Sequence, residues 1–187
     1  MIEKTETEKL KTPFELFGIE HGEGWMKISR KVLAEVEKYN ADHLNENSFI
    51  EVTQVKEKFG ELEIYTHYNN VPSDVVEKFR EMVGQARAEA SVTCENCGTK
   101  ENVGKIISKW YLTICQDCAE KMVKKQLERG YSLEFASRKW KSLSNGKIYE
   151  ITGDGVRELD SKKHSRCVYK SHCGYAREDN RKRKAIC

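Results

Sequence analysis

Two short cysteine turns constrain this chain more than any other feature. Cys94-Glu95-Asn96-Cys97 is followed, after 17 residues, by Cys115-Gln116-Asp117-Cys118. Two residues between cysteines let a tight turn aim both sulfurs at one point, while backbone amides soften the thiolate charge. Two such turns complete a tetrahedron. Cys94, Cys97, Cys115 and Cys118 are therefore the expected ligands of one Zn2+ ion. With every position taken by a thiolate, no place remains for a reactive water, so the expected role of the ion is structural. Its binding would contribute on the order of 10 kcal/mol to folding this segment. Four unrelated buried thiols would not need this spacing, and a thioredoxin-like redox pair needs one such turn, not two.

The residues between and after the turns predict how they are joined. Gly98 directly follows the first turn, where a left-handed backbone is convenient. A β-hairpin is expected over 106–114, and the second turn opens a helix over 116–129. Asp117 and Glu120 suit its first turn, Lys124, Lys125 and Arg129 its end, and Gly130 the residue just beyond. Turn, hairpin and turn at a helix start make a treble-clef or zinc-ribbon-like unit over residues 93–130.

Residues 1–92 carry different periodicities. After Gly22-Glu23-Gly24, the residues Trp25, Ile28, Val32, Val36, Tyr39 and His43 recur at helical spacing. Residues 62–68 alternate as a strand does. Residues 49–56 are rich in β-branched side chains but slip out of phase, which a bulge near Thr53 or Gln54 would repair. Gly60 between them fits a tight turn. Ser73 is expected to cap a second helix with Asp74 in its first turn and a stripe from Val75 to Ala90. The expected fold class is α+β: two amphipathic helices over one face of a hairpin, then the four-cysteine unit, then a short β meander. The meander falls in 131–160, with strands near 140–143, 148–152 and 156–159. Asn145-Gly146 predicts a two-residue turn, and Gly153-Asp154-Gly155 a second reversal. Residues 161–187 hold few large apolar side chains and are expected to form a partly disordered tail.

Charge divides the chain. The net +3 is the sum of −6 over residues 1–92 and +9 over 93–187, with +7 in 161–187 alone. A basic half points to an anionic partner such as nucleic acid. Candidate contacts are Lys105, Lys109, Lys121, Lys124 and Lys125 around the cysteine unit, with Trp110 and Tyr111 interleaved. Arg138, Lys139 and Lys141 flank Trp140, and Arg181, Lys182, Arg183 and Lys184 lie in the tail. Cations beside aromatics suit phosphate contact and base stacking. The plainer alternative is that the lysines solvate helix faces and the tryptophans are core. His164, Cys167, His172 and Cys173 offer a loosely spaced second metal site, for which free thiols are the simpler reading.

Catalytic motifs are missing from the sequence. There is no P-loop, Rossmann glycine pattern or H-E-x-x-H, and residues 98–130 contain no histidine for a treble-clef nuclease. No stretch approaches the ~20 apolar residues of a membrane span. Residues 1–12 are charged and lack the apolar run of a secretory signal, so the expected location is cytoplasmic.

Gly24-Trp25 at a helix start, the Gln54-Val55-Lys56-Glu57-Lys58-Phe59-Gly60-Glu61-Leu62 hairpin and the following C-x2-C pair form a combination. It resembles a widespread group of uncharacterised proteins from bacteria and their phages, over roughly residues 22–120. The resemblance implies a second strand, a helix and the cysteine turns in that order, and a phage-like context, hence the host cytoplasm. Three functions remain open at this point. The first is a non-enzymatic, zinc-stabilised protein that contacts nucleic acid or a nucleoprotein complex. The second is a phage-encoded inhibitor of a host defence protein. The third is an enzyme whose site is assembled from separated residues.

Overall fold

A computed structural model describes residues 11–44 and 46–159. The expectations placed on His164, Cys167, His172, Cys173, Arg181, Lys182, Arg183 and Lys184, and on the order of the tail, lie outside the described residues. The chain folds as a mixed α+β protein with two sheets. No helix among the described residues is long and apolar enough to cross a membrane.

The first layer comprises α1 (Pro13–Phe17), β1 (Ile19–Glu20), a 3-10 turn at Glu23–Trp25, α2 (Met26–Asp42), β2 (Phe49–Lys58), β3 (Glu61–Asn69) and α3 (Ser73–Ser91). Sequence analysis gave no element to the lead. There, Thr12 and Glu15 form a reciprocal capping box that starts α1. β1 adds in parallel to β2, with Ile19 opposite Val55. β2 and β3 form the expected antiparallel hairpin, and its register slips between Val52 and Gln54, so Thr53 is the bulge. Phe59 and Gly60 make the turn, both with positive φ (54° and 78°). The α2 stripe buries Ile28, Val32, Val36 and Tyr39 against this sheet, and α3 adds Phe79, Ala86 and Ala90. The cap of α3 differs from expectation. Pro72 is the N-cap, and its carbonyl accepts from both Val75 and Val76 (3.1 and 3.0 Å). Ser73 is already helical, so its hydroxyl is not the cap.

The second layer comprises β4 (Val103–Ile106), β5 (Leu112–Cys115), α4 (Gln116–Glu128), α5 (Leu133–Ala136), β6 (Arg138–Ser142), β7 (Ile148–Thr152) and β8 (Gly155–Leu159). The β4–β5 hairpin starts earlier than expected, and residues 107–111 are its loop. α4 ends as predicted. Gly130 sits at φ 83°, its N–H donates to Leu127, and the Tyr131 N–H donates to Gln126, which closes the last turn. The Asn145-Gly146 turn is longer than two residues. Ser142 N–H donates to the Lys147 carbonyl at 3.0 Å, so 143–146 form the loop.

The hairpin and the meander join into one antiparallel sheet, ordered β5-β4-β6-β7-β8. The junction pairs Gly104 with Ser142 and Ile106 with Trp140. Gly104 is required there. A Cβ on it would lie 2.3 Å from the Trp140 indole, which fills that space and donates its N–H to the Ile114 carbonyl (2.9 Å). α4 covers this face, packing Ala119 and Val123 with Ile106, Ile114, Trp140 and Ile151.

Candidate metal centre

The four cysteines come from three elements. Cys94 and Cys97 lie in the turn after α3, Cys115 ends β5 as the N-cap of α4, and Cys118 stands in the first turn of α4. Gly98 follows the first turn with φ 76°, and its N–H donates to the Cys94 carbonyl. That left-handed residue lets the chain reverse fast enough for both sulfurs of the turn to converge. On the other side, β5 runs straight into α4, so Cys115 and Cys118 are separated by less than one helical turn.

All four sulfurs lie within 4.8 Å of one another, and Cys97 Sγ is 3.7 Å from Cys115 Sγ. That separation far exceeds a disulfide bond of about 2.05 Å. It is close to the edge of a tetrahedron with metal–sulfur bonds of about 2.3 Å, roughly 3.8 Å. The four residues can hold a metal ion. Cys94, Cys115 and Cys118 are buried and Cys97 is exposed.

The surroundings favour negative sulfur. Asn96 Nδ2 donates to Cys118 Sγ at 3.2 Å, the Thr99 N–H points at Cys97 and the Cys118 N–H at Cys115. Without a cation among them, however, four crowded thiols cannot all ionise. Burial pushes the Cys115 and Cys118 thiols up. At Cys97 burial is opposed by the Thr99 amide and the neighbouring thiols, and its pKa lies below the ordinary thiol value. A bound divalent cation supplies the charge that lets every sulfur act as a thiolate.

The first layer grips this centre. Gly24 N–H donates to the Glu95 carbonyl (2.7 Å), Gly22 N–H to Glu95 Oε1 (3.0 Å) and the Trp25 indole to the Thr93 carbonyl (2.8 Å). A Cβ on Gly24 would lie 2.1 Å from the Cys94 oxygen and 2.4 Å from the Gly98 nitrogen. From the other hairpin, the Gly60 carbonyl accepts from Thr113 Oγ1 at 2.7 Å. Sequence reasoning took Gly22-Glu23-Gly24 as a break before the helix and missed this clasp. Two glycines around an acidic residue, directly before a buried tryptophan, were the signal.

The basic candidates do not form one patch. Lys121, Lys124 and Lys125 are exposed on α4. Lys105 and Lys141 face each other across β4 and β6, on the sheet face opposite α4, and Lys139 shares that face. There Lys105 lies 3.8 Å from Glu61, and Lys139 is registered opposite Glu150. Lys109, at φ 65°, donates to the carbonyls of Glu134 and Phe135, which ties the 107–111 loop to α5. Trp110 is exposed.

Arg138 is a correction. Only 5% of it is exposed, and its guanidinium donates to the carbonyls of Phe135, Ala136 and Ser137 and to Gln126 Oε1. It faces the interior because β6 places it on the same side as Trp140, where carbonyls at the end of α5 need a donor. Sequence reasoning gave Arg129 to the end of the helix and not to the contacts, although it continues the four-residue spacing of Lys121 and Lys125 at the C-cap of α4. Compared with protein-family models, with curated proteins and with solved structures, the chain matches none.

Proposed function

We propose that this chain is a non-enzymatic, zinc-stabilised binding protein whose C-terminal half contacts nucleic acid or a nucleoprotein complex. The observation that carries the reading is the closed set of four sulfurs beside α4, along which Lys121, Lys125 and Arg129 are exposed at four-residue spacing. A donor set of four thiolates suits zinc, and it leaves no ligand position for substrate or water. A turn, a hairpin and a second turn at the start of α4 make a treble-clef arrangement, in which the ion fixes the helix against the hairpin. The helix then presents Lys121, Lys124, Lys125 and Arg129 as a shaped cationic surface. None of the four has a carboxylate within ion-pair distance among the described residues. Asp117, Glu120 and Glu128 share the helix, so the cations free to meet a polyanion are those along the Lys121, Lys125 and Arg129 row.

Zinc identity is tested by elemental analysis of protein purified without added metal, where close to one equivalent is expected. Nucleic-acid contact is tested by titrating labelled oligonucleotides at increasing salt. Binding that weakens steeply with salt is expected. Absent or salt-indifferent binding overturns the reading.

A second reading has its own observation. Phe59, Trp110 and Tyr111 are all exposed around the meeting point of the two hairpin ends, and the Phe59 and Tyr111 rings lie 6.4 Å apart. Phe59 holds a left-handed backbone that bulky residues rarely adopt. Clustered exposed aromatics are typical anchors of protein interfaces. This favours the inhibitor alternative, with a host protein as partner in the host cytoplasm and the phage-like context of the resemblance. Capture of one protein partner that survives nuclease treatment and is lost in Trp110→Ala would favour it over nucleic acid.

A further inference from the structure

A groove of about 460 Å³ runs along α4 beside the cysteine centre. Its floor is apolar, made by Leu112 and Ile114 of β5 and Met122 of α4. Its rim carries Lys121, Lys125 and Arg129. These cations are four residues apart, so along a helix they succeed one another by about 6 Å. On the walls stand Glu95, whose Oε1 is held by the Gly22 N–H at 3.0 Å, and Gln126. Arg138 fixes Gln126 by donating to its Oε1 (2.8 Å), which leaves the Gln126 amide N–H groups as donors on the groove wall.

We infer that this groove holds an unpaired stretch of nucleic acid, with phosphates along Lys121, Lys125 and Arg129 and a base against Leu112, Ile114 and Met122. The inference rests on the nucleic-acid reading above and narrows it to single strands. A row of cations alone would serve a duplex equally well, because duplex contacts are dominated by phosphate. The apolar floor makes the difference. In a duplex the base faces are stacked and hidden, whereas a single strand can turn a base onto an apolar surface. The Gln126 amide can donate to a base carbonyl, of which thymine has two. An extended acidic peptide would match both rim and floor only with a large apolar side chain set between its carboxylates, whereas every nucleotide joins a phosphate to a flat base.

The test uses the full chain and a fluorescein-labelled oligo(dT), alone and paired with oligo(dA), followed by anisotropy over a range of salt. The single strand is expected to bind roughly tenfold or more tightly than the duplex. Replacing Lys121, Lys125 and Arg129 together by Gln should reduce the slope of log affinity against log salt by about 2, since each single-strand phosphate contact contributes about 0.7. Met122→Gln keeps the charge, so it should weaken single-strand binding a few-fold and leave that slope unchanged. Metal content and circular dichroism of each variant check that the fold is intact. Equal affinity for duplex, or an unchanged slope in the triple variant, overturns the groove while the broader reading stands. If the unaltered chain binds neither oligonucleotide, both fall.

Discussion

The two layers bury apolar cores of similar chemistry around different anchors. In the first, Trp25, Ile28, Val32, Val55, Leu62, Ile64, Ala86 and Ala90 form a continuous core between two long helices and a long hairpin. In the second, Cys94, Cys115 and Cys118 are themselves core members beside Val103, Ile106, Ile114, Val123, Trp140 and Ile151. β4 and β5 are four residues each, against ten and nine for β2 and β3. With three of the four cysteines inside its core, the packing of this layer depends on what those sulfurs hold, and small layers of this kind commonly depend on a metal. The difference teaches where order originates. The first layer is held by area alone, and the second by area together with convergence on one point.

The strongest way to break that contrast is to remove the metal. Chelation, or Cys115→Ser, should withdraw on the order of 10 kcal/mol from the second layer. Amide signals from α4 and β4 through β8 are expected to collapse, while those of α2, α3, β2 and β3 persist. Loss of both sets together would show that the clasp makes the layers a single cooperative unit. Loss of neither would show that no metal stabilises the sulfurs.

A smaller effect probes the clasp itself. At Gly24 an added methyl meets backbone atoms of Cys94, Glu95 and Gly98 at 2.1 to 2.6 Å, and none of them is a flexible side-chain end. Gly24→Ala should therefore cost about 3 kcal/mol, which for a chain of this size lowers Tm by roughly 6–12 °C. Gly84 on α3 is the control, because nothing lies within 4 Å of its added methyl. There alanine should stabilise by about 0.5–1 kcal/mol through helix propensity. If both variants melt alike, the clasp is not tight.

Thr113→Val follows in size. The hydroxyl is buried and donates to the Gly60 carbonyl, so the near-isosteric change leaves that carbonyl unpaired. A loss of about 1–2 kcal/mol in denaturant melts is expected. A change within error would place no energetic weight on the contact between the two hairpin ends.

The same contrast governs how much was legible in the sequence. Local patterns read well. The α2 stripe, the Phe59-Gly60 turn, the slip beside Thr53 and the cysteine spacing each follow from neighbours a few residues apart. Contacts between distant segments did not. Gly104 gave no hint that the Trp140 indole lies over it, so the hairpin and meander read as separate pieces rather than one sheet. Arg138 looked like a surface cation because charge counts carry no direction, and only the β6 register turns it inward. Ser73 lost the cap to Pro72 because Pro72 already holds the extended backbone of an N-cap and its carbonyl receives the first helical donors. The groove beside α4 needed β5 and α4 placed together before its rim and floor could be recognised as one site.

The smallest expected effect concerns proton linkage at the seam between the layers. His21 is half-buried, with Nδ1 against the Gly22 carbonyl (2.9 Å), Nε2 against Ser29 Oγ (3.0 Å) and its ring edge-on to Trp25. Burial lowers its pKa below 6.5, outweighing the opposite pull of the Gly22 carbonyl and of Glu23. The folded protein thus binds fewer protons at this site than the unfolded chain does, so stability rises with pH across the interval between the two pKa values. The His21 contribution is complete above about pH 6.5 and declines as pH falls through 6.5 toward the folded value. Urea melts from pH 8 to pH 5 should show the midpoint decreasing below about pH 6.5, with a shallower decrease in His21→Asn, which cannot titrate. Because Gly22 donates to Glu95 next to the cysteines, the mirror experiment is informative. If the His21-dependent part of the slope disappears once the metal is removed, the seam is assembled by the metal-bound layer rather than by the acidic one.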